Sequence, residues 1–166
     1  MRVAVSLMAL AAGAVLLSGC GKGGSSADQS ASTTESAAPA APAPTAEQAK
    51  AMVAALPAPY NTADLANGEG KFTQCRSCHT PVQGGGNLVG PNLWGVFGRK
   101  AASLPDFNYS DGLKKSGITW DAAQIDKWIA DPHAVVPDTR MSFAGLKSPK
   151  DRIDVVGYLK TVTTAP

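Results

Sequence analysis

The chain has 166 residues, with 15 Lys and Arg against 13 Asp and Glu, and three cysteines. That length suits about one domain with extensions, and the nearly balanced charge carries no signature of a nucleic-acid partner. Cys20, Cys75 and Cys78 are too few for a disulfide scaffold, so each needs its own explanation.

Residues 1–19 place one positive charge, Arg2, before an apolar run from Val3 to Leu17. Fifteen residues span about 22 Å as a helix, short of the roughly 30 Å of bilayer hydrocarbon. The length, and the small residues that follow, predict an export signal rather than a permanent span. The run ends in Leu17-Ser18-Gly19-Cys20, which resembles the bacterial lipoprotein lipobox, where cleavage leaves the cysteine first and it then carries lipid. That resemblance implies lipidation of Cys20, with several acyl chains on one residue and therefore stable anchoring. An ordinary signal peptide with an incidental cysteine and an uncleaved signal anchor are the competing readings.

Residues 20–59 consist mainly of Gly, Ser, Ala, Thr and Pro without apolar periodicity. Such a composition cannot bury enough surface to offset its ordering entropy. It predicts a disordered tether with a root-mean-square reach of roughly 30–40 Å. Within it, Ala46–Leu56 contains helix formers, and Pro57 and Pro59 stop any helix there.

Residues 60–166 read as the folded domain, all-α, with no convincing strand or hairpin. Thr62 is placed to cap a helix running to about Gln74, with Leu65 and Phe72 on one side and Gly68 between them. The motif Cys75-Arg76-Ser77-Cys78-His79 follows. Thr80 to Gly117 is irregular and punctuated by Gly, Pro and Asn. A second helix is predicted from about Asp121 to Ala130, closed by Pro132. The last helix is capped by Ser148, has Pro149 at its first position and Asp151 three residues past the cap, as in a capping box. So few short helices around so long an irregular stretch make a poor core by themselves. Something large and apolar is needed in the middle.

Two thiols and an imidazole within five residues suit three chemistries. A structural zinc site wants four protein ligands, and beyond the motif only His133 remains as a strong donor. A thioredoxin-type dithiol sits after a strand, and none is predicted here. A covalent haem uses all three residues: each thiol adds to one vinyl group, and the adjacent imidazole reaches the iron. It also supplies the missing core. Across the iron the candidates are Met141, His133 or an open position. Met141 lies in an irregular segment 62 residues after His79, whereas His133 directly follows Pro132 at a helix end and reads as a surface residue.

Several further blocks occur in one order. Gly68-Glu69-Gly70-Lys71-Phe72 precedes the motif; Gly90-Pro91-Asn92-Leu93, Phe97-Gly98-Arg99-Lys100, Phe107-Asn108-Tyr109-Ser110 and Gly117-Ile118-Thr119-Trp120 follow it. Pro137 to Leu146 surrounds Met141, and Arg152 to Lys160 ends the series. Together these resemble the class I cytochromes c of the mitochondrial-like bacterial type, over about residues 62–164. With the lipobox and tether, the chain is similar to membrane-anchored members.

The resemblance implies a small all-α fold of three to five short helices around one covalent haem c, attached through Cys75 and Cys78. It implies His79 and Met141 as iron ligands and the Pro91 carbonyl as acceptor for the imidazole. Arg99, Tyr109 and Trp120 would bond one propionate and Thr139 the other. Gly68 would let the last helix approach closely against Val155 and Tyr158. Two positions depart from the family pattern. Trp128 stands where many relatives have a tyrosine whose hydroxyl points at the methionine sulfur, and an indole N–H there either replaces that bond or does not. Leu113 stands where mitochondrial relatives keep an asparagine in a buried water network. The function implied is one-electron carriage, not catalysis, by a monomer held by lipid on the periplasmic side of a bacterial membrane. A bc1-type complex would be the donor and cytochrome c oxidase the acceptor, with Arg76, Arg140, Lys147 and Lys150 ringing the exposed haem edge. The alternatives are an electron-transfer subunit fixed in a complex, or an open-iron haem sensor or enzyme in which Met141 does not ligate.

Overall fold

A computed structural model describes residues 42–165. The signal segment, Cys20 and the tether to residue 41 lie outside the described residues. Six α-helices follow in order: α1 Ala46–Ala54, α2 Leu65–Arg76, α3 Asp111–Lys115, α4 Ala122–Ala130, α5 Pro132–Val135 and α6 Pro149–Val162, with a 3-10 turn at Tyr60–Thr62 between α1 and α2. Among the described residues no helix is long and apolar enough to cross a membrane.

The hub is the crossing of α2 and α6. A Cβ at Gly68 would overlap the Asp154 carbonyl oxygen and lie 2.8 Å from Tyr158 Cβ, so only glycine permits the approach. Phe72, at 1% exposure, packs its ring 5.5 Å from that of Tyr158. The seam also holds a buried carboxylate. Asp154 accepts from the Asp64 backbone N–H at 2.9 Å, Asn67 Nδ2 at 2.7 Å and Lys150 Nζ at 2.5 Å. Burial opposes its charge, but these donors outweigh burial and hold its carboxyl below the usual carboxylate range. Nothing in the residue pattern alone marks this aspartate as interior.

Local chemistry sets the ends of the helices. Asp64, not Thr62, caps α2: its carboxylate accepts from the N–H groups of Ala66 and Asn67 at 3.0 and 3.1 Å, while Thr62 closes the preceding turn by donating to the Pro59 carbonyl at 2.8 Å. Asp121, expected as about the first residue of the second helix, is its cap, accepting from the Gln124 N–H. Pro132 ends that helix but also opens α5 at its first position, with Asp131 capping from between the two. Ser148 caps α6 through the Asp151 N–H at 3.2 Å.

The segment expected to be tether up to residue 59 is partly structured. Thr45 and Gln48 form a reciprocal capping box for α1, and Val53 and Leu56 are buried. Leu56 and Tyr60 join the main core with Val155, Val156 and Leu159. Composition hides this because the apolar surface that α1 covers belongs to α6, almost one hundred residues away. The short α3 and α5 were equally invisible to periodicity.

Candidate haem-binding site

All nine site residues expected within the domain line one largely apolar cavity of about 280 Å³. It occupies the place where the sequence lacks a core. His133 is not among them; it is exposed, and its Nδ1 lies 3.4 Å from the Pro137 carbonyl.

The last turn of α2 delivers the motif. The N–H groups of Cys78 and His79 both donate to the Cys75 carbonyl, at 3.1 and 2.9 Å, which curls the chain and turns the imidazole inward. His79 Nδ1 lies 2.7 Å from the Pro91 carbonyl oxygen. A carbonyl only accepts, so Nδ1 carries the proton and Nε2 keeps its lone pair. Burial lowers the imidazole pKa, opposed by the bond to Pro91, and favours this neutral form. Gly90 makes the arrangement possible, since a Cβ there would overlap the ring. Burial, with Cys78 adding to it, pushes the Cys75 thiol up to about 11, the opposite of what an exchange-active dithiol needs.

Asn92 holds this loop and was not singled out by its sequence. Its Nδ2 donates to Thr80 Oγ1, the Val82 carbonyl and the Gly85 carbonyl at 2.9, 3.0 and 2.5 Å, and its Oδ1 accepts from the Trp94 N–H at 2.6 Å. The only sign of it was the adjacency of Asn92 to Pro91.

On the opposite wall, the indole N–H of Trp128 donates to Met141 Sδ at 3.1 Å. The open question at this departure is thereby answered in the structure. Trp128 in turn packs edge-on against Trp120, ring centroids 5.4 Å apart. Thr139 Oγ1 accepts the Met141 N–H at 3.2 Å. Asp138 ties the same loop to α3, accepting from the Gly112 N–H at 2.8 Å and the Ser110 hydroxyl at 3.3 Å. Leu113 packs with Tyr109 and Val136, so the wall at this second departure is apolar.

Arg99 and Trp120 are brought together by backbone pairing. The Trp120 N–H donates to the Arg99 carbonyl at 2.9 Å, beside an antiparallel bridge between Lys100 and Thr119. The Arg99 guanidinium donates to the Trp94 and Asn92 carbonyls at 2.8 and 2.9 Å. It therefore braces the Pro91 loop, a role its sequence block did not announce. Burial pushes the Tyr109 phenol upward, against the lowering influence of nearby Arg99.

The donor set suits a porphyrin better than a bare ion: two thiols at a helix end, one imidazole with a free nitrogen, one thioether and a large apolar void between. Among the described residues no group of three or more His, Cys, Asp or Glu side chains could hold a metal ion. Fold and site define a small helical protein built around a thioether-linked haem.

No protein-family model matches the chain. Curated relatives do. Cytochrome c2 of Rhodomicrobium vannielii is 49% identical over 102 residues, covering 61% of this chain and 82% of that protein. Cytochrome c2 iso-2 of Magnetospirillum molischianum is 50% identical over 91 residues, covering 55% of this chain and 93% of the relative. Among solved structures, cytochrome cH from Methylobacterium extorquens aligns with a TM-score of 0.55 and 46% identity, covering 59% of this chain and 98% of that one. The chain belongs to the class I c-type cytochromes, electron-transfer proteins that carry covalent haem c.

Proposed function

We propose that this protein is a one-electron carrier whose haem is bound through Cys75 and Cys78 and ligated by His79 on one face and Met141 on the other. The observation that carries the proposal is that His79, oriented by Pro91, and Met141, oriented by Trp128, line the same cavity. Haem c supplies reversible one-electron chemistry at its iron. The chain's own residues orient both donors and surround them with apolar side chains. A thioether ligand and a low-dielectric shell both favour the less charged, reduced state, which gives a potential in the positive hundreds of millivolts. Held by His79 and Met141 together, the iron would offer no open position to a substrate.

Arg99, Tyr109 and Trp120 are placed to meet one propionate. Arg99 uses part of its five-donor guanidinium on the two carbonyls and keeps further N–H groups. Thr139 keeps its hydroxyl proton for the other propionate while accepting from Met141. We further assign Cys20 as the lipidated residue, holding a monomeric domain on the periplasmic side of a bacterial membrane between a bc1-type donor and cytochrome c oxidase. The lipobox and the tether composition support this placement.

Two measurements test the ligation. Ferrous native protein should not bind carbon monoxide, and the ferric form should show the weak far-red sulfur-to-iron absorption that Met141→Ala abolishes. Ready carbon monoxide binding by the parent protein would instead favour an open-iron sensor or enzyme.

A further inference from the structure

The trailing end of the Met141 loop is gripped by a side chain from another element. Arg152 lies near the start of α6, and its side chain is only 15% exposed. Its Nε donates to Asp126 Oδ1 on α4 at 2.7 Å. Its Nη1 donates to the Leu146 and Lys147 carbonyls at 3.0 and 3.2 Å. One guanidinium therefore joins α6, α4 and the end of the loop. Each bond has a charged donor and little competing water, which strengthens it.

The loop meets the last turn of α4 at three consecutive residues. The Trp128 indole N–H donates to Met141 Sδ, and the Ile129 carbonyl accepts the Leu146 N–H at 2.7 Å. The Ala130 carbonyl accepts Lys147 Nζ at 3.3 Å, and a Cβ at Gly145 would overlap that same carbonyl. Between Met141 and Leu146 the chain has little slack. Only Ser142 to Gly145 intervene, and the Phe143 N–H turns back onto the Met141 carbonyl at 3.1 Å. A shift at Leu146 therefore reaches the thioether.

We propose that Arg152 is a positioning residue for Met141: by bridging Asp126 and the Leu146 and Lys147 carbonyls, it holds the loop closed on α4 and keeps the thioether aimed into the cavity. This rests on the reading of Met141 as an iron ligand. The role needs an arginine. Its planar fork puts donors on separate nitrogens, so one side chain serves α4 and the loop at once. A lysine would keep its charge for Asp126 but, with a single nitrogen, would release the loop carbonyls.

Two variants of the full, haem-loaded chain test it. Arg152→Lys frees the loop, whereas Asp126→Asn removes the ion pair's charge and leaves the guanidinium on both carbonyls. Two quantities are read: hydrogen exchange at the Leu146 amide, and the affinity of ferric protein for added imidazole, which displaces a thioether and abolishes its far-red absorption. Arg152→Lys should raise both about tenfold, the equivalent of one bond from a charged donor, because a looser loop taxes the competing imidazole less. Asp126→Asn should lower the denaturant midpoint and leave both readouts within about twofold of the parent. Parent-like exchange and imidazole affinity in Arg152→Lys would overturn the positioning role alone. So would an equal rise in Asp126→Asn, which would make the effect one of general stability. A parent protein without far-red absorption would overturn the ligation by Met141, and the positioning role with it.

Discussion

Trp128 Nε1 and Met141 Sδ are 3.1 Å apart, joined by an N–H···S bond across thirteen residues of sequence. Sulfur has two lone pairs, so under the proposed ligation the bond to the indole would leave one for the iron. An N–H drawing on the second pair would make the thioether a weaker donor to that iron and so favour the reduced state. Trp128→Phe should keep the fold and lower the midpoint potential by about 30–60 mV, the equivalent of one ordinary hydrogen bond. Redox titration of the purified variant checks this, and an unchanged potential would mean that the bond does not reach the metal's electronics.

Gly90→Ala should be severe, because the new methyl meets the His79 ring itself. Overpacking of this kind costs about 1–3 kcal/mol and here also displaces the imidazole proposed to hold the iron. Haem incorporation, read as Soret absorbance per mole of polypeptide, should fall at least severalfold. Pro91→Ala keeps the accepting carbonyl and should cost only about 0.4–1 kcal/mol through the more flexible unfolded chain. If the two variants behave alike, the contact with the imidazole is not what makes Gly90 necessary.

Gly68→Ala tests the helix crossing. The added carbon would meet the Asp154 carbonyl oxygen and Tyr158 Cβ, both firmly held. A loss of about 3 kcal/mol is expected, visible as a lower denaturant midpoint at constant slope.

Asp154 makes stability depend on acid. Its folded carboxyl lies below the usual range, so its contribution is complete above the unfolded value near 4 and is lost as pH falls through the lower folded value. Asp154→Ala strands the Asp64 N–H and the Asn67 amide, and should lower Tm by roughly 10 °C at pH 7. The gap between parent and variant should narrow below pH 4. A gap constant from pH 7 to 3 would mean that the carboxylate's charge is irrelevant to the seam.

Much of this was legible in the chain. The cap Ser148 stood in plain view, since a short polar side chain before an apolar period has one obvious use. The Cys75–His79 spacing, the irregular middle and the lack of a self-sufficient core pointed together to a large cofactor. Other features depended on partners far away in sequence. Val53 and Leu56 look like tether residues until α6 is beside them, and Asp154 looks like a surface aspartate until Asn67 and Lys150 converge on it. Arg99 was expected to face a propionate; what the structure shows is its guanidinium anchoring the Pro91 loop. Trp128 offered two orientations, and packing against Trp120 accompanies the one that meets the sulfur.

The position of α1 has a mechanical consequence. It rests on α6 and on the turn at Tyr60–Thr62. A pull on the leading end of the chain therefore meets first the stretch Pro42–Pro44 and then the α1–α6 contact. The first structure to yield under tension should be that peripheral clasp, so drag on a leash fixed to a surface would lengthen the leash before it disturbed the redox centre.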